Sequence, residues 1–215
     1  MTTEGQYPEV VSELMLQVRA LLPTIPGWCS EEKAESLIRT ILGHDLRSCV
    51  EIGVFGGSSL IPQAIALREL GSGRIVGIDP WESSAALENM IDPANTEWWS
   101  KVNLAEIYSG CLQLIATMGL ETYCELLRAK AEDVHDRFDL GSIDLLHIDG
   151  NHSELTSTAD AERYLPKVRP GGYVFFDDVS WRENGTVTTH KAIEFLKLHC
   201  DVRGIVTDCL ILQKT

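Results

Sequence analysis

The sequence has few basic residues, no long apolar run and no paired cysteines, and each shortage excludes a class of protein. Eighteen Lys and Arg residues stand against 32 Asp and Glu, which gives a net charge of −14 at pH 7. Nucleic acids and anionic membranes require a basic surface, so we expect neither as a partner. No apolar stretch reaches the roughly 18 residues of a membrane span. The 215 residues suffice for a single domain with a full core.

Disulfides and a secretory signal are also missing from the pattern. The six cysteines form no CxxC pair, and several lie within apolar runs. Buried thiols in a reducing cytosol explain this spacing better than a disulfide framework or a zinc site. Residues 1–5 show no basic stretch followed by an apolar core, so we expect no secretory signal and a cytoplasmic location.

Helical periodicity marks the first 45 residues. Apolar positions predict a helix over 9–22 and a second helix that begins after Ser30 as N-cap and closes at Gly43. We expect these N-terminal helices, within residues 1–45, to cover part of a sheet that follows them.

Short apolar runs then alternate with helical patterns. Strands are predicted at 48–53, 74–78, 124–129, 143–148 and 172–176, and helices at 58–70, 155–165 and 188–198. Such alternation predicts an α/β fold with a doubly wound, mostly parallel sheet of the Rossmann-like kind. Two final runs, at 202–206 and 210–213, predict a C-terminal antiparallel hairpin.

Residues 82–122 are too long for a plain crossover between the second and third strands. They contain Trp98 and Trp99, and a helix is predicted from Val102 to Met118. Long ordered insertions at this edge of a sheet often cover a ligand, so we expect a helical cap. An extra packing helix is the alternative interpretation.

The first strand ends in a glycine-rich turn. The dinucleotide pattern G-x-G-x-x-G fails there, because Phe55 and Ser58 stand where the glycines after Gly53 belong. Glu51 would repel a pyrophosphate but suits the ammonium group of an amino acid. These features favour S-adenosylmethionine, bound by Glu51, Gly53, Gly57 and Ser58. A structural turn with Glu51 in a salt bridge is the alternative.

Further cofactor contacts are expected after the second and third strands. Asp79 stands at a strand tip, where an acid can accept both hydroxyls of a ribose, although NAD enzymes place an acid similarly. Trp81 either lines the adenosine pocket or belongs to the core. Ala131 and Glu132 are expected at the adenine edge, with a solvated helix start as an equal interpretation for Glu132.

Two later apolar runs end in acids, Asp149 in one and Asp177 with Asp178 in the other. If the runs are neighbouring parallel strands, their ends lie roughly 5 Å apart. They then meet at the carboxyl edge, where open α/β sheets bind ligands. Three converging carboxylates repel one another unless a cation or proton intervenes. We therefore favour a hard divalent ion such as Mg²⁺ over simple turn chemistry.

His152 is the preferred general base, because an imidazole pKa of about 6.5 suits proton removal near neutrality. The alternative is that Asp149 takes the proton and His152 only shapes its loop. His147 is expected to be a packed, hydrogen-bonded histidine, and Asp160 is expected on a helix surface. Four residues are predicted as walls of an acceptor pocket: Trp98, Trp99, Trp181 and Arg182.

Four motifs together resemble the class I methyltransferases that bind a divalent cation. The motifs are Glu51-Ile52-Gly53-x3-Gly57-x-Ser59, Gly77-Ile78-Asp79, His147-Ile148-Asp149-Gly150-Asn151-His152-Ser153 and Pro170-Gly171-Gly172-x4-Asp177-Asp178. They are most similar to the macrocin O-methyltransferase group, which methylates sugar hydroxyls of natural products. The resemblance implies that Asp149, Asp177 and Asp178 hold magnesium, which chelates two neighbouring substrate oxygens. A similar resemblance to catechol-type O-methyltransferases implies a catechol or other vicinal diol as the acceptor.

Three functions remain open at this point. A metal-dependent O-methyltransferase acting on a small-molecule hydroxyl (a sugar, diol or natural-product intermediate) explains all the motifs. A nicotinamide-dependent oxidoreductase keeps the fold but conflicts with Glu51, Phe55 and Ser58. A non-catalytic S-adenosylmethionine-binding module would not explain why three acids converge at the sheet edge. The sequence is compatible with a homo-oligomer.

Overall fold

A seven-stranded sheet with an apolar core on each face organises the chain, in a computed structural model that describes residues 7–215. Residues 1–5, on which the expectation about a secretory signal rests, lie outside this range. Between residues 7 and 215, none of the helices is long and apolar enough to cross a bilayer.

The secondary structure alternates through most of the chain. The strands are β1 Ser48–Ile52, β2 Arg74–Asp79, β3 Cys124–Arg128, β4 Ile143–Ile148, β5 Val168–Phe176, β6 Arg182–Glu183, β7 Thr186–Val187, β8 Cys200–Val206 and β9 Cys209–Lys214. The α-helices are α1 Pro8–Leu21, α2 Glu31–His44, α3 Leu60–Glu69, α4 Ser83–Ala86, α5 Pro93–Lys101, α6 Leu104–Thr117, α7 Ala131–Val134, α8 Glu154–Tyr164 and α9 His190–His199.

The strand order in the sheet is β3-β2-β1-β4-β5-β9-β8. Strands β1 to β5 are parallel, β9 is antiparallel to β5, and β8 is antiparallel to β9. Helical crossovers between parallel strands and a closing hairpin give a doubly wound sheet. The predicted α/β fold with its C-terminal antiparallel hairpin is confirmed.

Two predicted boundaries were wrong for local reasons. Helix α2 does not close at Gly43 but continues to His44, and Asp45 takes the left-handed conformation at φ 53° that ends it. Aspartate visits this region more readily than most residues. Strand β5 begins at Val168 rather than at 172, because a register irregularity opposite β4 accommodates the Pro and Gly residues within the strand.

Helices α1, α2, α3 and α6 pack on one face of the sheet, and α8 and α9 pack on the other. The N-terminal helices therefore cover the sheet as expected. All six cysteines are free thiols, and five of them are buried. The 82–122 segment holds α4, α5 and α6, so the helix predicted from Val102 to Met118 is present and is preceded by two shorter ones.

Candidate functional site

A cavity of about 890 Å³ opens at the carboxyl ends of the parallel strands. The tips of β1, β2, β4 and β5 form its floor, and the cap segment of residues 82–122 forms part of its wall. Gly53 and Asp79 lie on one side of the floor, and Asp149 and Asp178 lie on the other. The sheet topology thus places the predicted cofactor residues and the predicted acids in one space.

Gly53 is fixed as glycine by a close approach between two loops. Its φ is +84°, and an added Cβ would lie 2.5 Å from the carbonyl carbon of Asp149 and 2.7 Å from the Cα of Gly150. No side chain fits at such distances, so the β1 turn and the β4 turn touch through their backbones. The position of Asp149 therefore depends on the glycine turn.

The Asp79 carboxylate accepts hydrogen bonds from the backbone of the glycine turn. One carboxylate oxygen accepts the N–H groups of Val54 at 3.0 Å and Phe55 at 2.9 Å, and the other accepts that of Trp81 at 2.7 Å. Phe55 and Trp81 both have positive φ angles, so Asp79 stabilises two strained turns. A carboxylate has about four acceptor sites, which leaves roughly one for a ligand hydroxyl. Burial raises the pKa of Asp79 despite these three bonds.

Glu51, Gly57 and Trp81 stand behind the turn and do not line the cavity. Glu51 is fully buried, and its oxygens accept from Ser59 at 3.0 Å and Gln63 at 2.6 Å. An added Cβ at Gly57 would approach the cap helix α6, and Trp81 lies in the core, where its Nε1 donates to the Phe55 carbonyl. In this structure the turn thus separates these three residues from the cavity, and their roles as direct ligand contacts stay predictions.

His147 joins the cofactor side of the sheet to its acidic side. It pairs with Glu51 across β1 and β4, and its Nδ1 lies 3.0 Å from a Glu51 oxygen. Its Nε2 lies 3.5 Å from Asp177 Oδ2. Burial alone would lower the pKa of His147, but the acids around it raise the pKa instead. The expectation of a packed, hydrogen-bonded histidine is confirmed.

Asp149, Asp177 and Asp178, which we call the carboxylate cluster, do converge at the sheet edge. The ammonium group of Lys33, from α2, donates to Asp177 Oδ2 and lies 3.8 Å from Asp149 Oδ2. Burial would lower the pKa of Lys33, but the two acids outweigh it and raise the pKa. A protein cation therefore already lies between two of the three acids.

The acids of the cluster are electrostatically unequal. Burial, together with the nearby charge of Asp177, raises the pKa of Asp149. Burial also acts to raise the pKa of Asp177, but the hydrogen bonds and charges of His147 and Lys33 lower it strongly. Asp177 is thus the anion that the protein itself compensates, whereas Asp149 faces the cavity with 24% of its side chain exposed.

His152 is held by the third acid of the cluster. Its Nε2 lies 2.9 Å from Asp178 Oδ2, and its ring lies 4.7 Å from that of Trp181. Burial would lower the pKa of His152, but the bond to Asp178 and its charge raise it. The structure thus brings together Asp149, His152 and Asp178, whose ligand atoms lie within 4.8 Å of one another.

Aromatic rings form the wall of the cavity above the cluster. Trp98 and Trp99 of α5 contact Phe55 of the glycine turn, with ring centroids 6.2 and 5.8 Å apart. Trp28, which the sequence analysis missed, stacks on Phe55 at 5.2 Å and remains 67% exposed. Trp181 also lines the cavity. These five aromatic residues make this end of the cavity suited to a flat or apolar ligand.

Arg182 does not reach the cavity, because its guanidinium group turns outward and donates to the Gly185 carbonyl. The neighbouring Glu183, also missed from sequence, is 2% exposed and ties the cap to this loop. It accepts the N–H groups of Ile91 and Asp92, each at 2.7 Å, and the indole N–H of Trp181 at 3.3 Å. Arg182 thus does not form part of the cavity wall in this structure, and the buried residue that holds the cap to this loop is Glu183.

Asp160 is not on the helix surface, and this prediction was wrong. It is 4% exposed and faces the cavity near Gly150, because α8 packs this side against the sheet edge. Burial raises its pKa to about 7.

Ala131 and Glu132 line the same part of the cavity, and Glu132 pairs with Lys130 at 3.7 Å and Arg163 at 3.5 Å. Ser58 also lines the cavity.

The sequence indicates that Lys33 needs an acidic partner, although it does not show which acid. Lys33 lies four residues before Leu37 on the same face of α2 as Ala34 and Ile41, a face that is apolar elsewhere. A lysine on a buried helical stripe requires a buried acid as its partner. Trp28 had no comparable signal, because it lies in a loop before α2.

Comparison with known proteins agrees with this architecture. The family described as Methyltransferase domain matches residues 50–179, which is more than half of the chain and spans the glycine turn and the carboxylate cluster. The chain belongs to the methyltransferase domain family. The membership of a methyltransferase family that the motifs predict is thereby confirmed.

Solved structures resemble the chain over nearly its whole length. The O-methyltransferase NovP has a TM-score of 0.73 at 14% identity, with 95% of this chain and 98% of NovP covered. TomG from Streptomyces achromogenes has a TM-score of 0.64 at 21% identity, with 98% and 91% covered. At these identities the likeness establishes the fold.

One curated relative matches a short stretch. The uncharacterized protein y4gI of Sinorhizobium fredii is 38% identical over 63 residues. The match covers 29% of this chain and 7% of that protein, so it spans only a small part of this relative's length.

Proposed function

We propose that the protein is an S-adenosylmethionine-dependent O-methyltransferase that acts on a hydroxyl group of a small molecule. The observation that carries the proposal is the single cavity in which Gly53 and Asp79 face Asp149, His152 and Asp178. A cofactor over the glycine turn would direct its methyl group toward a base and acids at the same sheet edge. Support also comes from NovP and TomG, both O-methyltransferases, and TomG was solved with S-adenosylmethionine.

The acceptor we infer is a diol, a sugar or a natural-product intermediate. TomG takes part in tomaymycin synthesis, which supports the last of these. Trp98, Trp99 and Trp181 would hold the acceptor by apolar contact and exclude water. Holding the hydroxyl oxygen and the methyl carbon near contact distance removes much of the activation free energy of a displacement reaction. A screen of labelled methyl transfer to phenols, vicinal diols and glycosides would identify the class.

His152 is the base that we propose, with Asp178 as its orienting partner. The 2.9 Å contact fixes the imidazole beside Asp149 at the cavity floor. His152→Ala is expected to lower kcat by about 10²–10⁴-fold, with cofactor affinity nearly unchanged. His190→Ala is a matched control that should leave kcat unchanged, because His190 is an exposed histidine of α9 that pairs with Glu194 at 3.4 Å. An unchanged acid limb of the pH–rate profile in His152→Ala would instead assign the proton to Asp149.

A divalent cation fits part of the carboxylate cluster. Asp149 and Asp178 offer oxygen ligands, and His152 offers nitrogen within the same 4.8 Å. Two carboxylates suit a hard divalent cation such as Mg²⁺, whose remaining ligands are waters, so His152 stays available as the base. Asp177, the third predicted ligand, is held by Lys33. Such a cation, when bound, would lower the pKa of the acceptor hydroxyl. We expect EDTA to abolish turnover and Mg²⁺ or Mn²⁺ to restore it, and full activity in excess chelator would refute metal dependence.

A further inference from the structure

The ammonium group of Lys33 has an unusual place in the fold, inside the carboxylate cluster. The side chain leaves the first turn of α2, where the backbone N–H of Lys33 donates to the N-cap Ser30 at 3.1 Å. The residue is 5% exposed, and its Nζ contacts Asp177 and lies 3.8 Å from Asp149. The helix start therefore sets where this charge lies.

Both oxygens of Asp177 are engaged by protein donors. Oδ1 accepts the backbone N–H of Asp178 at 3.1 Å, and Oδ2 is shared by Lys33 and by His147 Nε2 at 3.5 Å. A divalent cation on Asp177 would need to approach an oxygen to about 2.0–2.6 Å. It would then meet an ammonium group of like charge in a site from which water is largely excluded, where such repulsion is strong.

We propose that Lys33 is the internal cation of the carboxylate cluster and that its contact with Asp177 excludes a divalent cation from the space between Asp149 and Asp177. The proposal rests on the proposed function, since it concerns the metal of the same site. The chain itself then compensates the charge of Asp177, and Asp149 and Asp178 are the carboxylates of the cluster that stay open to a metal. Removing the ammonium group should free Asp177 as a further ligand.

The test is the affinity of the whole protein for Mn²⁺, measured without turnover from the free-ion signal in electron paramagnetic resonance. Lys33→Met removes the charge and keeps much of the apolar stem. We expect it to bind Mn²⁺ at least about tenfold more tightly than the unmodified protein. Lys191→Met is the matched control, because Lys191 is exposed and paired with Glu154 at 2.7 Å away from the cluster. It removes the same charge and should leave the affinity unchanged.

Each outcome bears on Lys33 and on metal dependence separately. Tighter binding by Lys33→Met supports the role of Lys33, even if the unmodified protein binds no Mn²⁺ and metal dependence therefore fails. Equal affinities overturn the role of Lys33 while metal dependence stands. Weaker binding by Lys33→Met overturns it as well, because Lys33 would then position Asp177 for the metal. Failure of both proteins to bind overturns both proposals.

A second variant covers the case in which Lys33→Met does not fold. Lys33→Gln is neutral but retains an N–H donor for Asp177, so it removes the charge without leaving the carboxylate unpaired. It should also gain at least about tenfold in Mn²⁺ affinity. If neither variant folds, Lys33 serves the fold alone and the proposal is overturned.

Discussion

Gly53→Ala should disturb the cofactor turn and the catalytic turn together. The added Cβ would meet the carbonyl oxygen of Asp149 first and would lie 2.5 Å from its carbonyl carbon, against an ordinary contact distance of 3.4 Å, so the two backbones must separate by at least about 0.9 Å. The φ of +84° adds a cost of roughly 1–2 kcal/mol for a residue with a Cβ. Overpacking adds about 1–3 kcal/mol. We expect a total loss of about 2–5 kcal/mol in the free energy of unfolding.

Urea denaturation measures this loss, and titration calorimetry with S-adenosylhomocysteine measures the effect on the site. Because the turn faces the cavity, we expect the affinity to fall at least about tenfold, and displacement of Asp149 should lower kcat by up to about 10²-fold. Gly119→Ala is the matched control, since its φ is +63° but an added Cβ there meets nothing within 4 Å. It should lose only about 1–2 kcal/mol and keep full affinity.

The comparison between Gly53→Ala and Gly119→Ala separates the cost of the positive φ, which both share, from the cost of the backbone contact, which only Gly53 makes. If Gly53→Ala matched Gly119→Ala in stability and in affinity, the backbone contact between the two turns would not determine the site, and the reasoning would be refuted.

Two further predictions concern buried acids outside the carboxylate cluster. Asp160 has a pKa of about 7 in the folded chain against an ordinary 3.8, so its ionisation costs the folded state up to about 4 kcal/mol as pH rises from about 4 to 7. Asp160→Asn should therefore raise the Tm relative to the unmodified protein at pH 8 but hardly at pH 4, and an equal difference at both pH values would contradict this. Glu183→Gln replaces the acceptor for two N–H groups at 2.7 Å and should loosen the cap. We expect faster limited proteolysis between α4 and α5 and a raised KM for the acceptor, and an unchanged cleavage rate would show that other contacts hold the cap.

Much of the fold could be predicted because each element carried its own local pattern. Strands β1 to β5 are short apolar runs, and segments of helical length and composition, α3, α8 and α9, lie between or after them. Helix α5 was missed because it begins with proline after Asp92 as N-cap and contains no fully buried residue. Without an apolar stripe, its sequence has little to distinguish it from a loop.

The carboxylate cluster was predictable because two neighbouring parallel strands end in acids. Residues that point into the floor of the site were harder to assign. Glu51 was placed against the ligand on charge alone, but its neighbours Ser59 and Gln63, one helical turn apart on α3, bind it inside the protein. Lys33 reaches the cluster from 144 residues away in sequence. Long-range pairs of this kind depend on how α2 packs on the sheet, which no local pattern reveals.

The cofactor is the central claim, and calorimetric titration of the unmodified protein with S-adenosylmethionine, S-adenosylhomocysteine and NAD tests it most directly. We predict one site per chain for each of the first two ligands and no measurable heat from NAD, because Phe55 and Ser58 replace the glycines that a pyrophosphate needs. Asp79→Ala should weaken both S-adenosyl ligands, since it removes the support of the glycine turn. Binding of NAD without binding of S-adenosylmethionine would contradict the account.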